Sequence, residues 1–379
     1  MSEYQYYEFQ AIDRPLTSKE MGELRDYSSR ARITATSFVN DYSYGSFKGD
    51  EDAWMVQYFD AFLYLANWGT HVLKLRLPSR LLDPTIAGNY CGGDAAAVWA
   101  KSGKVILSFV SEDEDGDEWI EGEGHLSSLV GVRAELARGD LRALYLGWLL
   151  QAQTGELDDD DVEPPVPPGM GQLTGSLAAM AEFLRIDSDL VHVAAQGSAA
   201  MQTDDVDRGE LRAWIAGLPV HEKDEILANA IVDGDRAHLA ELLQRYLRQH
   251  AVAEAGPSTE PRTVGQLLGA AEDYANERMR AEAEKRAKEK ARREKEAAIA
   301  RAKRLDDLVG SEAKLWAKVD DLVASKQPKN YDLALRILAD LRDLAARGTP
   351  DDFRLRIEAL RAAHARKTTF IQRLRKAGL

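Results

Sequence analysis

The stretch from Glu277 to Arg304 constrains the fold more than any other part of the sequence. It contains no Gly or Pro and is built almost wholly from Ala, Glu, Lys, Arg and Met, the residues with the strongest helix propensity. The breakers Gly256 and Pro261 precede it, and Gly310 follows it. The sequence therefore predicts one helix over residues 263–309, roughly 70 Å long at about 1.5 Å per residue.

This helix has too few large apolar residues to pair strongly with another helix. Between Met279 and Ile299 its apolar residues are all alanines, whereas a coiled coil needs Leu, Ile or Val at its a and d positions. Glutamates stand four residues before Arg or Lys, as in Glu282 and Arg286, an arrangement that supports a helix in water. We expect a solvated helix in which any coiled-coil pairing is weak.

The charge of the helix has two interpretations. Residues 277–304 carry 12 Lys and Arg against 6 acidic residues, so a polyanion such as nucleic acid could bind through residues 277–379. The candidate contacts for such an anion are Arg286, Lys290, Arg293, Arg301 and Arg304. The interspersed glutamates favour the other interpretation, a soluble helix laced with ion pairs. No aromatic residue stands between Tyr274 and Trp316 to stack on bases.

Length and composition indicate an intracellular protein with more than one domain. The 379 residues are 45% hydrophobic and 30% charged, which suits packed cores in two or three domains. No run of about 18 apolar residues and no apolar leader are present, so we expect a cytoplasmic protein without membrane contact. The single cysteine, Cys91, rules out an internal disulfide and a cysteine-rich zinc site.

The net charge of −14 conceals a strong asymmetry. Residues 277–379 carry a net charge of +10, so residues 1–276 carry −24. The acidic part should repel nucleic acid and anionic membranes, and only the basic part could attract them.

The sequence predicts an α+β protein made of an N-terminal mixed-sheet α/β domain, a helical domain, a long solvated basic helix and a small C-terminal helical module. Composition shifts and Pro-rich or acidic runs place the boundaries between these parts. The predicted parts are an acidic α/β domain (1–154), an acidic and Pro-rich linker (155–172), a helical domain (173–250), a second linker (251–262), the long charged helix (263–309) and the C-terminal module (311–379).

Alternating apolar residues predict strands, and longer periodic runs predict helices. We expect a capping box at Thr17 to open a short helix. Residues 52–67 are predicted to form one helix because Met55, Phe59 and Phe62 share a face. The strands are predicted at residues 4–12, 32–40, 71–77, 96–100 and 105–110.

No motif for catalysis, cofactor binding or metal binding is complete. The segment around Gly103 and Lys104 lacks the first glycine and the final Ser or Thr of a phosphate-binding loop. No two histidines stand within four residues of each other, and the acidic hairpin tip at 113–117 lacks the glycine and glutamate of a calcium loop. We therefore predict no catalytic, cofactor-binding or metal residue, and no cofactor.

One enzymatic alternative stays open. A fold could bring polar and nucleophilic side chains of the N-terminal domain into one site, although capping, turn and core roles explain them as well. The side chains concerned are Tyr42, Lys48, Asp60, His71 and Cys91.

Two parts of the chain resemble an uncharacterised family of bacterial proteins. These are the run Tyr58–Thr70 and the C-terminal segments Tyr331–Arg347 and His364–Lys367. The resemblance implies a bacterial origin and no particular activity or site.

These observations lead to one expected function and two alternatives. We expect a non-enzymatic interaction or scaffold protein, in which the long charged helix spaces an acidic head from a basic helical tail and protein partners are bound. The first alternative is an accessory nucleic-acid-binding protein that uses the basic helix and tail. The second is an enzyme with an unrecognised site in the N-terminal domain.

Overall fold

The computed structural model describes residues 4–113, 122–201, 207–232, 237–250, 261–325, 327–348 and 350–379. The predicted linker 251–262 lies outside these ranges except for its last two residues, and the acidic hairpin tip lies outside them beyond Asp113. The chain divides into two compact units, residues 1–278 and residues 279–379.

The first unit is built on one sheet, which confirms the predicted α+β class. Its strands are β1 (Gln5–Gln10), β2 (Arg32–Ile33), β3 (Ser37–Tyr42), β4 (Ala61–Ala66), β5 (His71–Pro78), β6 (Ala96–Lys101) and β7 (Lys104–Ser111). They follow the order β2-β3-β1-β4-β5-β7-β6, and each of these neighbouring pairs is antiparallel. The sheet is thus antiparallel, and the predicted mixed sheet is wrong. Among the described residues, no helix makes the long crossover that brings two parallel strands side by side.

Helices cover both faces of the sheet. The helices of the first unit are α1 (Ser18–Tyr27), α2 (Glu51–Gln57), α3 (Pro84–Gly88), α4 (His125–Leu129), α5 (Gly131–Leu136), α6 (Arg142–Thr154), α7 (Gly175–Phe183), α8 (Ser188–Ala195), α9 (Arg208–Gly217), α10 (Val220–Val232), α11 (Ala237–His250) and the start of α12 (Val264–Leu308). The predicted capping box is confirmed, since Thr17 accepts the backbone N–H of Glu20 and the Glu20 side chain accepts that of Thr17.

The alternation of side chains along each strand creates two cores. Leu63, Leu73 and Leu107 point to the face that α4 to α8 and the start of α12 cover. Phe9 and Phe62 point to the other face, where an aromatic cluster packs under α1 and α2. Segments on both sides of the predicted linker 155–172, and the start of α12, therefore share one core.

The predicted helix over residues 52–67 is wrong in its second half. Helix α2 ends at Gln57, and residues 61–66 form the central strand β4. Because β4 pairs with strands on both edges and is buried on both faces, its sequence is a continuous apolar run. Such a run fits a buried strand or a helix equally well.

The second half of the segment 155–172, which was predicted to be a linker, packs against the rest of the first unit. Glu163 is buried, and the Tyr90 hydroxyl donates to the carbonyl of Pro165 at 2.7 Å. The Arg142 guanidinium donates to the carbonyl of Gly169 at 3.1 Å. Residue-specific hydrogen bonds, which composition does not reveal, hold this segment in place.

The second unit contains the rest of α12 and four further helices around a small apolar core. The helices are α13 (Glu312–Ala324), α14 (Pro328–Ala345), α15 (Pro350–Ala363) and α16 (Thr368–Lys376). Val319, Leu338, Ile357, Phe370 and Leu374 fill the core. The predicted long helix and C-terminal helical module are present.

Candidate functional site

The middle of α12 has no tertiary cover. Every residue from 281 to 300 is exposed, so this part of the helix depends on its own side chains. Pairs four residues apart join Glu284 to Lys288 at 2.5 Å and Arg292 to Glu296 at 3.7 Å. Exposed pairs of this kind are each worth about 0.3–0.5 kcal/mol, and the alanines and charged residues between them have high helix propensity.

Three of the five predicted anion contacts lie in this exposed stretch. Arg293 pairs with Glu289 at 2.6 Å. Arg286 lies 3.6 Å from Glu282 and Lys290 lies 4.0 Å from Glu294. These three cations thus face water, and each has a carboxylate neighbour on the same helix that offsets part of its charge.

The other two predicted contacts, Arg301 and Arg304, bind α14. Arg304 donates to the buried carboxylate of Asp340 at 2.6 Å. The Arg301 guanidinium donates to Asp343, with an Nε to Oδ2 distance of 3.0 Å. Burial alone would raise the pKa of Asp343, but the bonds from Arg301 and Arg342 hold it below its ordinary value. Their geometry gives these two arginines a role in fixing the end of α12 to the module.

Sequence reasoning missed Asp340 and Asp343 because they lie 36 and 42 residues from their partners. One signal in the sequence could have found them: the two acids stand three residues apart in a basic module, a spacing that places both on one face of α14. The anion-contact role of the five cations stays a prediction.

A groove opens in the second unit between the end of α12 and helices α13, α14 and α15. Its volume is about 750 Å³, and we name it the module groove. Its apolar lining includes Trp316 and Phe353, whose ring centroids lie 5.7 Å apart. Leu355 and Val309 also line it, and they are 68% and 63% exposed. Large apolar side chains that face water to this extent are unusual inside a packed module.

Charged side chains of both signs complete the module groove. Glu312 and Asp352 line it together with Arg347 and Arg356. The Arg356 guanidinium lies 5.8 Å from the centre of the Trp316 ring, within range of a cation–π contact. Arg347 pairs with Asp306 at 2.6 Å.

A second cavity of about 640 Å³ lies beside the start of α16. His364, Arg366, Lys367 and Thr368 line it. The Lys367 ammonium donates to the carbonyl of Val323 at 2.6 Å. Burial lowers the pKa of His364, and Lys367 lowers it further. The cavity is therefore basic without being a defined binding site.

In the first unit, charged side chains form a buried network around Asp60, which is 1% exposed. Asp60 accepts the backbone N–H groups of Ile12 and Asp13 at 2.6 and 2.9 Å. It also accepts a hydrogen bond from the Arg76 Nε at 3.0 Å, and the Arg133 guanidinium lies 3.7 Å from it. Burial would raise the pKa of Asp60, but the two arginines hold it below its ordinary value. The carboxylate is fully bonded, and it joins the segment that follows β1 to β5 and α5.

The side chains proposed for an enzymatic site lie apart. Asp60 precedes β4 while His71 begins β5, and the register Ala61 to Leu75 and Leu65 to His71 puts them at opposite ends of that strand pair. Cys91 is 1% exposed in the core on one face, and burial raises its pKa to about 12. The exposed Lys48 follows β3, and Tyr42 packs on the other face. The composite site is not formed.

In the part of the chain that the structure describes, no cluster of three or more His, Cys, Asp or Glu side chains is placed to hold a metal ion. Among the helices in the same ranges, none combines the length and the apolar character needed to cross a membrane.

No protein-family model matches this chain, and no curated protein or solved structure does. The resemblance to a bacterial family therefore stays a prediction.

Proposed function

We propose that this chain is a non-enzymatic interaction or scaffold protein of the cytoplasm, in which α12 links an acidic part to a basic helical module and protein partners bind to these parts. The observation that carries the proposal is the bare helical stretch at 281–300. Val264 and Leu267 bury the start of α12 in the sheet core, and Leu305 is buried near its end. A lone helix between two anchored ends is a semi-rigid connector.

A replacement experiment tests this proposal. Residues 281–300 are exchanged for an unrelated helix of Glu, Ala and Lys of the same length, and separately for a Gly and Ser sequence of that length. The action of a connector depends on its length and stiffness. The set of proteins that co-purifies from the native organism should therefore stay the same with the new helix and change with the flexible sequence. The same partners with both replacements would contradict the proposal, as would turnover of a nucleotide or ester above a heat-treated control.

Nucleic-acid binding is the second candidate function, and the exposure of Arg286, Lys290 and Arg293 favours it. Changing these three residues to Gln should remove about three phosphate contacts and flatten the dependence of log affinity on log salt. Retardation of a DNA or RNA probe by the full chain over a salt series measures this. The matched control changes Glu282, Glu289 and Glu294 to Gln, which should strengthen binding. No retardation at low salt, or equal binding by both variants, would remove this candidate.

A further inference from the structure

The module groove joins three features that separate binding surfaces from ordinary protein surface. It is concave, it contains an aromatic pair, and its apolar residues Leu355 and Val309 project into water. Aromatic residues are enriched at the centre of protein interfaces, where a projecting side chain from the other side fills the pocket. The same patch of this chain therefore supplies both a pocket and a side chain of the kind that fills one.

The charge of the groove narrows the choice of partner. Residues 279–379 carry a net charge of +10, so most of this unit repels a second copy of itself. The groove differs, because the acids Glu312 and Asp352 line it together with the bases Arg347 and Arg356, and Arg347 is further offset by its pair with Asp306. A surface that meets itself across a two-fold axis must be neutral or carry both signs, and the groove meets this condition.

We propose that the module groove is the contact surface between two copies of this chain. The two grooves face each other across a two-fold axis, and Leu355 of each copy packs against Trp316 and Phe353 of the other. The acids of each groove then oppose the bases of the other. A strongly acidic partner helix would instead find only half of its charge matched there, so the second copy is the better occupant.

The expected dimer is reversible. A stable two-fold interface buries about 800 Å² on each partner, and we expect a single groove with two projecting apolar side chains to form a smaller contact. The fraction of dimer should therefore rise with protein concentration.

Sedimentation or light scattering on the full chain tests the proposal, from about 1 to about 200 µM because oligomer formation follows mass action. The wild-type mass should rise from 42.0 kDa towards twice that value. Leu355→Glu should stay at the monomer mass across the series, because a buried charge opposes association. Leu333→Glu is the matched control. Leu333 is 41% exposed on α14 and does not line the groove, so this variant should dimerise like the wild type.

Two outcomes would overturn the proposal. One is a wild-type chain that stays monomeric throughout, which would leave the groove to a different protein. The other is a dimer that Leu355→Glu and Val309→Glu form as readily as the wild type, which would place the contact elsewhere. Both substituted residues are largely exposed, so folding should survive, and the helical circular dichroism signal checks this.

Discussion

At the scale of single residues, His71 is held in its neutral form. Its Nδ1 lies 2.6 Å from the carbonyl oxygen of Phe183, and its Nε2 lies 3.0 Å from the guanidinium of Arg185. A carbonyl only accepts and a guanidinium only donates, so Nδ1 carries the proton and Nε2 accepts. Burial lowers the pKa of His71, and the adjacent Arg185 and the nearby His125 lower it further. The hydrogen bond to the Phe183 carbonyl and the charge of Asp113 oppose this shift without cancelling it.

This arrangement predicts a loss of stability in acid. The pKa of His71 in the folded chain is below its unfolded value of about 6.5, so below that pH the unfolded chain binds a proton that the folded chain does not. The stability is present above about pH 6.5 and is lost as the pH falls towards the folded pKa. Urea unfolding at neutral and at mildly acidic pH should show a smaller acid loss for His71→Gln than for the wild type.

The control for this prediction is His221→Gln, because His221 is exposed on α10. It should keep the full acid loss of the wild type. An equal loss for His71→Gln and His221→Gln would show that His71 is not the group responsible.

At the scale of elements, one buried carboxylate joins three distant segments. Glu163 accepts the Tyr145 hydroxyl from α6, and it accepts Arg262 through two bonds of 2.7 and 2.8 Å. Arg262 also donates to the carbonyl of Val193 at 2.9 Å. Residue 262 stands just before α12, so this cluster anchors the start of the long helix and the segment 155–172.

Replacing Arg262 by Met should therefore loosen both segments. The Glu163 side chain is only 4% exposed, and removing its partner leaves a buried charge at a cost of about 3–5 kcal/mol. Hydrogen exchange should rise at residues 155–172 and at the first turns of α12. Arg286→Met, on the exposed part of α12, should leave exchange at residues 155–172 unchanged. Unaltered exchange in Arg262→Met would mean that this cluster does not hold the segment.

Elements differ in how far the sequence alone predicts them. Helix α12 is predicted well, because its helix propensity and flanking breakers are local properties. Strand β4 is not predicted well, since the strands on either side determine the conformation of its apolar run. The packing of Glu163 and the pairing of Arg304 with Asp340 are also hidden, because they join residues 99 and 36 positions apart. The five candidate cations could be selected from the sequence. The sequence did not show which of them would bind a neighbouring helix.

At the scale of the whole molecule, each unit has a buried core of its own and an opposite net charge. Residues 1–278 carry −24 and residues 279–379 carry +10. A core that is complete within one unit can unfold in its own transition. We therefore expect calorimetry of the full chain to resolve two transitions.

Two substitutions should assign these transitions. Asp60→Asn leaves Arg76 buried without its partner and should cost about 3–5 kcal/mol in the first unit alone. Leu338→Ala removes a fully buried side chain and should cost about 2–5 kcal/mol in the second unit alone. If each substitution shifts both transitions equally, the units unfold as one.

The uncovered stretch of α12 also determines how the chain would respond to a pulling force. Residues 281–300 are all exposed, so their turns can open without uncovering a core, and tension would unwind them one after another instead of in a single abrupt event. Helix and coil interconvert within about a microsecond in stretches of this length, and the turns would re-form as soon as the load fell. This stretch would thus extend reversibly under a load that leaves both cores folded.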